Sequence, residues 1–278
     1  MSMVHGYAAY CYYDYTRSNM VLNYYLVPGN YYDRYLLRYN PHIDKCCSVG
    51  NHEIDNICIK GKGDIENIKQ KGKKTVGIFI GFAAIYFPEW QRHPRQPLYD
   101  EALAKRVFVK DWMPFFEWAG RQGDILFVFK GKGGIKQYEH RYLKEALSKI
   151  PKENYYQNDD ILMSNVISAC DCLISSGNSS ALFSSLCMGV PAICYDTFMK
   201  GYVAVEEYSD YLVARSPDEL ISKIRYLLEN GLLDNVYESV LNDHYAEGRF
   251  DGKTSLRIKE LITEVLQDSH MHSINGGL

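Results

Sequence analysis

From about residue 75 to residue 230, the chain alternates short apolar runs with amphipathic segments. TVGIFIGFA and DILFVFKG are apolar on both sides, which is the pattern of strands covered on both faces of a sheet. Segments between the runs, such as YEHRYLKEALSKI, carry helical periodicity. Strands alternating with helices are the signature of a parallel sheet. The sequence therefore predicts the α/β class, with a Rossmann-like parallel sheet and flanking helices.

Composition divides the rest of the chain. Eleven of the 24 tyrosines fall between Tyr7 and Tyr39, so the first 40 residues differ in composition from the later ones. A charged, glycine-containing stretch, GKGDIENIKQKGKK, then has the character of a linker. The predicted organisation is an abbreviated N-terminal α/β segment at 1–60, a linker at 61–74, a Rossmann-like domain at 75–245, a C-terminal helix at 246–268 and a disordered tail at 269–278.

Charge, hydropathy and cysteine spacing disfavour a nucleic-acid-binding, membrane-spanning, secreted or metal-binding protein. A formal net charge of -3 gives no global basic field, so nucleic acid is disfavoured as a partner. The chain lacks an apolar stretch of about 18 residues, and its start lacks the pattern of a signal peptide, so we expect a cytoplasmic protein. Eight scattered cysteines without metal-ligand spacing favour reduced thiols and no metal site.

The most informative stretch is residues 171–197, DCLISSGNSSALFSSLCMGVPAICYDT. A buried strand ends there, Gly177 permits a tight turn, and Asn178, Ser179 and Ser180 open a helix. A helix N-terminus at the carboxyl end of a parallel strand suits a phosphate or diphosphate. The same residues also suit a simple helix cap, and local physics leaves both interpretations open.

Several stretches carry a resemblance to known enzymes. SSGNSSALFSSLCMGVPAICYD resembles the nucleotide-binding half of GT-B glycosyltransferases and of the related sugar-nucleotide 2-epimerases. YLVARSPDELISKIRYLLENG is similar to their late strand and C-terminal helix, and FDGKTSLRIKELI resembles the "DGKAS.RI..LI" ending of bacterial surface-polysaccharide transferases.

The early part of the chain joins this resemblance. YLVPGNYYDRYLLRYN followed by KCCSVGNHEID is similar to the segment before the hinge in CDP-glycerol phosphotransferase-like and Kdo-transferase-like enzymes. The resemblance implies a GT-B fold whose N-terminal domain is represented only by its last part.

The resemblance also implies where a donor phosphate binds. The turn and helix start at Gly177, Asn178, Ser179 and Ser180 match the phosphate-binding turn of these enzymes. Lys130 follows a predicted strand, where relatives carry a "KPHP" motif, and a lysine there can neutralise a phosphate. This sequence has KGKGG instead, without the histidine, and a solvated flexible loop is the alternative for Lys130.

Further positions are implied for the base and sugar of the donor. Asp160 and Ile161 match a position near the nucleobase, with helix capping as the alternative for Asp160. Glu206 and Glu207 match a position that binds ribose or sugar hydroxyls, with a plain surface charge as the alternative. Asp196 ends a predicted buried strand and is a candidate ligand at the same cleft.

The predicted catalytic residue is His5. His5-Gly6 resembles the "HG" of CDP-glycerol-type transferases, in which a histidine is proposed to act as base, and an imidazole can accept a hydroxyl proton near neutral pH. The dinucleotide fingerprint G-x-G-x-x-G is absent after TVGIFIG, which disfavours hydride transfer.

Together these features predict a glycosyltransferase of surface polysaccharide synthesis that moves a sugar from a nucleotide sugar to a saccharide or lipid-linked acceptor. It would need no cofactor or metal, because a helix N-terminus and a lysine can offset the leaving charge. The alternatives are a polyol-phosphate transferase, a sugar-nucleotide 2-epimerase, and a non-catalytic or partial nucleotide-binding protein that needs a partner chain. The tyrosine-rich segment is the candidate surface for a partner subunit or for peripheral association with the inner face of the membrane.

Overall fold

A computed structural model of the chain describes residues 3–5, 22–27, 29, 43–52, 55, 68–80, 105–130, 141–157, 161–176, 179–197, 205–245 and 251–275. The chain divides into two compact units. The terminal unit combines Met1–Ile59 with Glu238–Leu278, and the central unit is Lys60–Tyr237. The boundary between Tyr237 and Glu238 falls inside a helix, so the terminal unit is built from both ends of the chain.

The terminal unit contains a three-stranded parallel sheet of β1 (Met3–His5), β2 (Leu22–Val27) and β3 (Ile43–Ser48), in the order β1-β2-β3. Tyr25, Leu26 and Val27 are buried in the middle strand.

The central unit contains a six-stranded sheet whose described pairings are all parallel. Its strands are β4 (Lys74–Phe79), β5 (Ile125–Phe129), β6 (Tyr155–Gln157), β7 (Cys172–Ser176), β8 (Ala192–Tyr195) and β9 (Val213–Ala214). Their order is β6-β5-β4-β7-β8-β9. Every residue of β5, β7 and β8 is buried, as expected for strands covered on both faces. The predicted α/β class and Rossmann-like parallel sheet are confirmed.

The described helices separate these strands or follow them. They are α1 (Met113–Ala119), α2 (Arg141–Leu147), α3 (Met163–Ala169), α4 (Ser180–Cys187), α5 (Ser209–Leu212), α6 (Pro217–Asn230), α7 (Asp234–His244) and α8 (Thr254–Asn275). A π-helical turn, Phe108–Trp112, leads into α1, and 3-10 turns cover Lys152–Asn154 and Glu206–Tyr208.

An aromatic cluster fixes one face of the central sheet. The Trp112 and Tyr195 rings meet edge to face with centroids 4.9 Å apart, and Phe116 stacks on Phe129 at 5.7 Å. On β4, a Cβ at Gly77 would come within 2.7 Å of the Cys170 sulfur, so only glycine fits there without movement of the neighbour.

The structure differs from the sequence prediction in three places. The last helix runs from Thr254 to Asn275, so most of the tail predicted as disordered at 269–278 is helical, because the first helix-ending glycines come only at Gly276. The helix α7 was not predicted from the sequence. In the segment predicted as a linker, Ile68 is buried and the Lys73 ammonium donates to the Glu153 carbonyl (3.0 Å) and to Asn154 Oδ1 (2.6 Å). These contacts attach the end of that segment to the central unit.

Candidate functional site

The strand order of the central sheet marks one place for a ligand. The chain fills the β4-β5-β6 side first and then passes to β7 on the other side of β4, so the direction of winding reverses between β4 and β7. In open parallel sheets, ligands bind at the carboxyl ends of the strands at such a reversal. The residues directly after β7 are therefore the first candidates.

Serines dominate the chain where β7 ends. Ser175 and Ser176 are 0% and 2% exposed. Gly177 and Asn178 lie outside the described residues, and the chain resumes at Ser179. The Ser179 hydroxyl accepts a hydrogen bond from the Ala181 N–H (3.2 Å), so Ser179 is the N-cap of α4.

The start of α4 carries no negative charge of its own. Its first turn holds no acidic residue, and Ser180 is the first helical residue. The positive end of the helix dipole is thus not offset by a side chain of the first turn. Both interpretations left open by the sequence are compatible with this geometry, since a capped helix N-terminus can also receive an anion.

Tight packing fixes the direction of α4. Ser184 and Ser185 are buried, and the Ser185 hydroxyl donates to the Val190 carbonyl (3.1 Å), which ties the helix to the turn before β8. Gly189 forms that turn with φ +73°, in the left-handed region that favours glycine. These contacts fix the C-terminal half of α4, and its N-cap Ser179 follows the carboxyl end of β7 at Ser176 closely in the chain.

Lys130 lies at the same edge. It directly follows β5, its N–H donates to the Ile78 carbonyl (3.2 Å), and its side chain is half-buried. The order β5-β4-β7 separates its strand from β7 by two strand spacings, about 10 Å. That distance is within reach of a diphosphate held between a lysine and a helix N-terminus.

A charged cluster sits at the ends of β8 and β9. Asp196 is 3% exposed, and its carboxylate lies 3.8 Å from the guanidinium Nε of Arg215. Arg215 also binds both carboxylate oxygens of Glu206, at 2.5 and 2.6 Å. Glu206 is thus already paired in this structure, whereas the Glu207 side chain is exposed and has no hydrogen bond or ion pair in the described part of the chain.

Two residues of this cluster were missed by sequence reasoning. Arg215 is the centre of the charge network, and its signal was only a basic residue between the last strand and a capped helix. The Thr197 hydroxyl is buried and has no hydrogen-bond partner among the described residues. A buried hydroxyl next to Asp196 that no described residue satisfies can donate and accept a hydrogen bond at the carboxyl end of β8.

The predicted nucleobase position is only partly described. Asp160 lies outside the described residues, and Ile161 is half-buried just ahead of α3. The N-cap of α3 is Leu162, which makes no side-chain cap hydrogen bond. Because Asp160 is not described, its two proposed roles, near the nucleobase or at the helix cap, stay predictions.

His5 lies in the other unit. It ends β1, paired in register with Leu26, so it stands at the carboxyl end of an edge strand of the three-stranded sheet. Its side chain lies outside the described part of the structure.

Two thiols of the central unit, those of Cys170 and Cys172, are protonated at neutral pH. Burial raises the pKa of Cys172 to about 12 and raises that of its neighbour Cys170 as well. Neither can act as a thiolate nucleophile. The described residues contain no cluster of three His, Cys, Asp or Glu side chains that could hold a metal ion, and no described helix is long and apolar enough to cross a membrane.

Comparisons with known proteins identify the fold. No protein-family profile matches the sequence, and no curated protein matches it significantly. Among solved structures, a UDP-GlcNAc 2-epimerase from Neisseria meningitidis bound to UDP-GlcNAc is 16% identical with a TM-score of 0.59, over 87% of this chain and 62% of that one. The Methanocaldococcus jannaschii UDP-GlcNAc 2-epimerase, in complex with UDP-GlcNAc and UDP, is 13% identical with a TM-score of 0.58, over 87% and 61%.

A third structure extends the likeness beyond epimerases. Sucrose-phosphate synthase from Thermosynechococcus elongatus is 11% identical with a TM-score of 0.52, over 89% of this chain and 59% of that one. This chain thus spans about three fifths of the length of the three structures. At these identities the likeness concerns the fold, and the fold of this chain is that of the GT-B enzymes.

Proposed function

We propose that this chain is a glycosyltransferase that binds a nucleotide sugar at the carboxyl edge of the central sheet and passes the sugar to an acceptor hydroxyl. The observation that carries the proposal is the N-terminus of α4, which stands at the reversal of the sheet with a serine cap and no acid in its first turn. Two of the structures with this fold are described as bound to UDP-GlcNAc, which supports a nucleotide sugar as the ligand.

In this proposal, catalysis depends on stabilising the leaving nucleoside diphosphate. Negative charge grows on the diphosphate as the bond to the sugar breaks, and in this proposal the dipole of α4 and the Lys130 ammonium offset that charge. Asp196 and Thr197 at the end of β8 supply hydrogen-bonding groups for the sugar or ribose hydroxyls. His5 remains the proposed base for the acceptor hydroxyl.

The first test is nucleotide binding. UDP, CDP and GDP are added singly to the full chain, and the unfolding midpoint and the calorimetric heat of binding are measured. One of them should stabilise the folded state by about 2.7 kcal/mol at a hundredfold excess over its Kd. Absence of stabilisation and of heat with all three contradicts the proposal.

Variants of two serines test whether the nucleotide binds at the start of α4. Ser180→Trp places a bulky neutral side chain at the first residue of α4 and should abolish nucleotide binding by steric exclusion. The control is Ser216→Ala at the N-cap of α6, where the Ser216 hydroxyl accepts from the Glu219 N–H (3.2 Å). The control should bind nucleotide normally. Normal binding by the Ser180 variant would place the site elsewhere.

The likeness to UDP-GlcNAc 2-epimerases favours a second candidate, epimerisation of the sugar at C2. The two reactions differ in their need for an acceptor. An epimerase converts UDP-GlcNAc by itself, whereas a transferase releases UDP in amounts that depend on the acceptor. Product analysis by NMR with and without added oligosaccharide separates them, and a His5→Ala variant then tests the proposed base.

A further inference from the structure

A groove of about 440 Å³ lies beside α6, lined by residues of α5, of α6 and of the segment that leads into α7. Its volume is within the range of small-ligand sites, about 300–1,000 Å³. All of its lining residues belong to the central unit. Only Glu219 is shared with the contacts described above, since one of its carboxylate oxygens accepts from the Arg215 N–H (2.6 Å).

Two tyrosine rings are open to solvent at this groove. Tyr226 on α6 is 43% exposed and Tyr211 on α5 is 42% exposed, whereas Leu227 beside them is buried. On α6, Ser222 precedes Tyr226 by one helical turn, so both lie on the same face. Large aromatic surfaces that stay exposed beside a concave surface are typical of ligand contact.

The hydroxyl groups of the groove are available. Within the described part of the chain, the hydroxyls of Tyr211, Tyr226 and Ser222 make no hydrogen bond, and the Asp210 carboxylate is exposed. Each hydroxyl can donate and accept, and the carboxylate accepts. A ligand with many hydroxyl groups would satisfy all of them.

The charge of the groove disfavours an anion. The Lys223 ammonium donates to the carbonyl oxygens of Ser209 (3.2 Å) and Asp210, so its hydrogen bonds are already directed to the protein. Partial burial lowers the pKa of Lys223, against the opposite effect of the Glu219 and Asp210 carboxylates. The groove therefore carries the carboxylates of Asp210 and Glu219 and one ammonium, that of Lys223, which is already hydrogen-bonded to the protein. Among these lining residues, no other cation is present to bind a phosphate.

We propose that this groove binds a neutral saccharide. The Tyr211 and Tyr226 rings would pack against the C–H faces of sugar rings, and Ser222 and Asp210 would bind sugar hydroxyls. The groove would hold a glycan separately from the nucleotide site at α4. It does not depend on the proposed transfer reaction, because binding here requires neither a nucleotide nor catalysis.

The test is direct binding of neutral oligosaccharides to the full chain. Maltohexaose, cellohexaose and chitohexaose are each titrated and followed by saturation-transfer difference NMR. At least one should bind with a Kd of about 1 mM. Tyr226→Ala and Tyr211→Ala should each weaken that binding about fivefold or more, while Tyr226→Phe retains most of it because the ring remains.

Controls separate a local effect from misfolding. Leu256→Ala removes a side chain of similar exposure (46%) on α8 and should leave saccharide binding unchanged. The unfolding midpoint of each tyrosine variant should stay near that of the parent chain, because both rings are exposed. Titration of the same variants with UDP measures binding at the nucleotide site separately. A failure of the proposed transferase function can therefore be distinguished from a failure of the saccharide proposal.

Three results would overturn the proposal. The first is no binding of any of the three oligosaccharides. The second is binding that survives the double variant Tyr211→Ala/Tyr226→Ala unchanged. The third is binding of hexalysine at the groove, lost in Asp210→Asn, without saccharide binding; the groove would then take cationic peptides.

Discussion

Three helix N-termini of this chain differ in whether a carboxylate offsets the positive end of the helix dipole. The first turn of α6 contains Asp218 and Glu219, and α8 receives the carboxylate of Asp55, whose Oδ2 accepts from the Thr254 N–H (2.9 Å). The first turn of α4 contains no acid at all. Since a carboxylate at a helix N-terminus offsets the dipole, α6 and α8 are balanced by the chain itself, whereas no side chain of the first turn offsets the dipole of α4, where we propose that the nucleotide binds.

The largest expected effect is at α8, the terminus with a buried carboxylate. Asp55 is 5% exposed and also accepts a hydrogen bond from the Tyr245 hydroxyl. Burial and this carboxylate raise the pKa of Tyr245. Asp55→Ala should leave the Thr254 N–H unpaired and the Tyr245 hydroxyl with only its contact to the Thr254 hydroxyl (3.3 Å). It should lower the free energy of unfolding by about 3 kcal/mol, measured by urea denaturation.

The exchange rate of the Thr254 amide hydrogen should rise in the same variant, because its acceptor is gone. Asp55→Asn is the matched control. It keeps the shape and one acceptor oxygen and should lose less stability. An unchanged midpoint in Asp55→Ala would mean that the terminus of α8 does not need its carboxylate.

The second prediction gives α4 the acid that α6 already has. Ser180→Glu should stabilise the helix by about 0.5 kcal/mol through the dipole. It should weaken nucleoside diphosphate binding by about 2 kcal/mol, or thirtyfold, through repulsion of the phosphates. The variant should thus unfold at a higher urea concentration and bind the nucleoside diphosphate more weakly in calorimetry. Higher stability with unchanged binding would show that α4 is an ordinary capped helix.

A third prediction compares the two serine caps of the central unit. Ser179→Ala and Ser216→Ala should each cost about 1 kcal/mol of stability, because each removes one cap hydrogen bond at 3.2 Å. Calorimetric titration should find nucleotide binding weakened only in Ser179→Ala. Equal affinity of both variants would remove the functional difference between the two termini.

The smallest effect concerns pH at the start of α8. Partial burial raises the pKa of Asp251, but the Lys253 N–H (3.0 Å) and the Arg257 guanidinium (2.7 Å) outweigh it, so the pKa is lowered overall. A lowered folded-state pKa contributes stability above the ordinary value of 3.8 that is lost as pH falls through the lower value.

Asp251→Asn should therefore lower the free energy of unfolding at pH 7 by about 0.5 kcal/mol, a value expected of a partly exposed pair. The difference from the parent chain should vanish toward pH 2. Urea denaturation at several pH values measures it, and a difference that persists at low pH would contradict the assigned cause.

Much of the central unit could be predicted from the sequence because its signals are local. Short apolar runs such as 125–129 and 172–176 predict strands covered on both faces, and the serine-rich turn with Met188-Gly189 marks α4 within a few residues. The end of α8 was predicted too early, because a polar, histidine-containing sequence gives no strong signal for or against a helix.

The candidate site could be predicted only as far as it is continuous in sequence. Ser179 and Ser180 were recognised because cap and helix are neighbours in the chain. Glu206 was considered as a sugar ligand, but its partner Arg215 binds it through both oxygens, and no periodicity shows that pairing. Thr197 was overlooked because its lack of a partner is a property of packing.

The sequence by itself determined the class of the fold, the order of strands and helices in the central unit and the serine start of α4, because each depends on hydrophobic period and capping within a few residues. Only the tertiary structure decided which charges are offset. Asp55 reaches Thr254 across 199 residues, and Arg215 joins Asp196 to Glu206 through the ends of two strands. Such pairings are set by the approach of distant backbone segments, which no local sequence pattern shows.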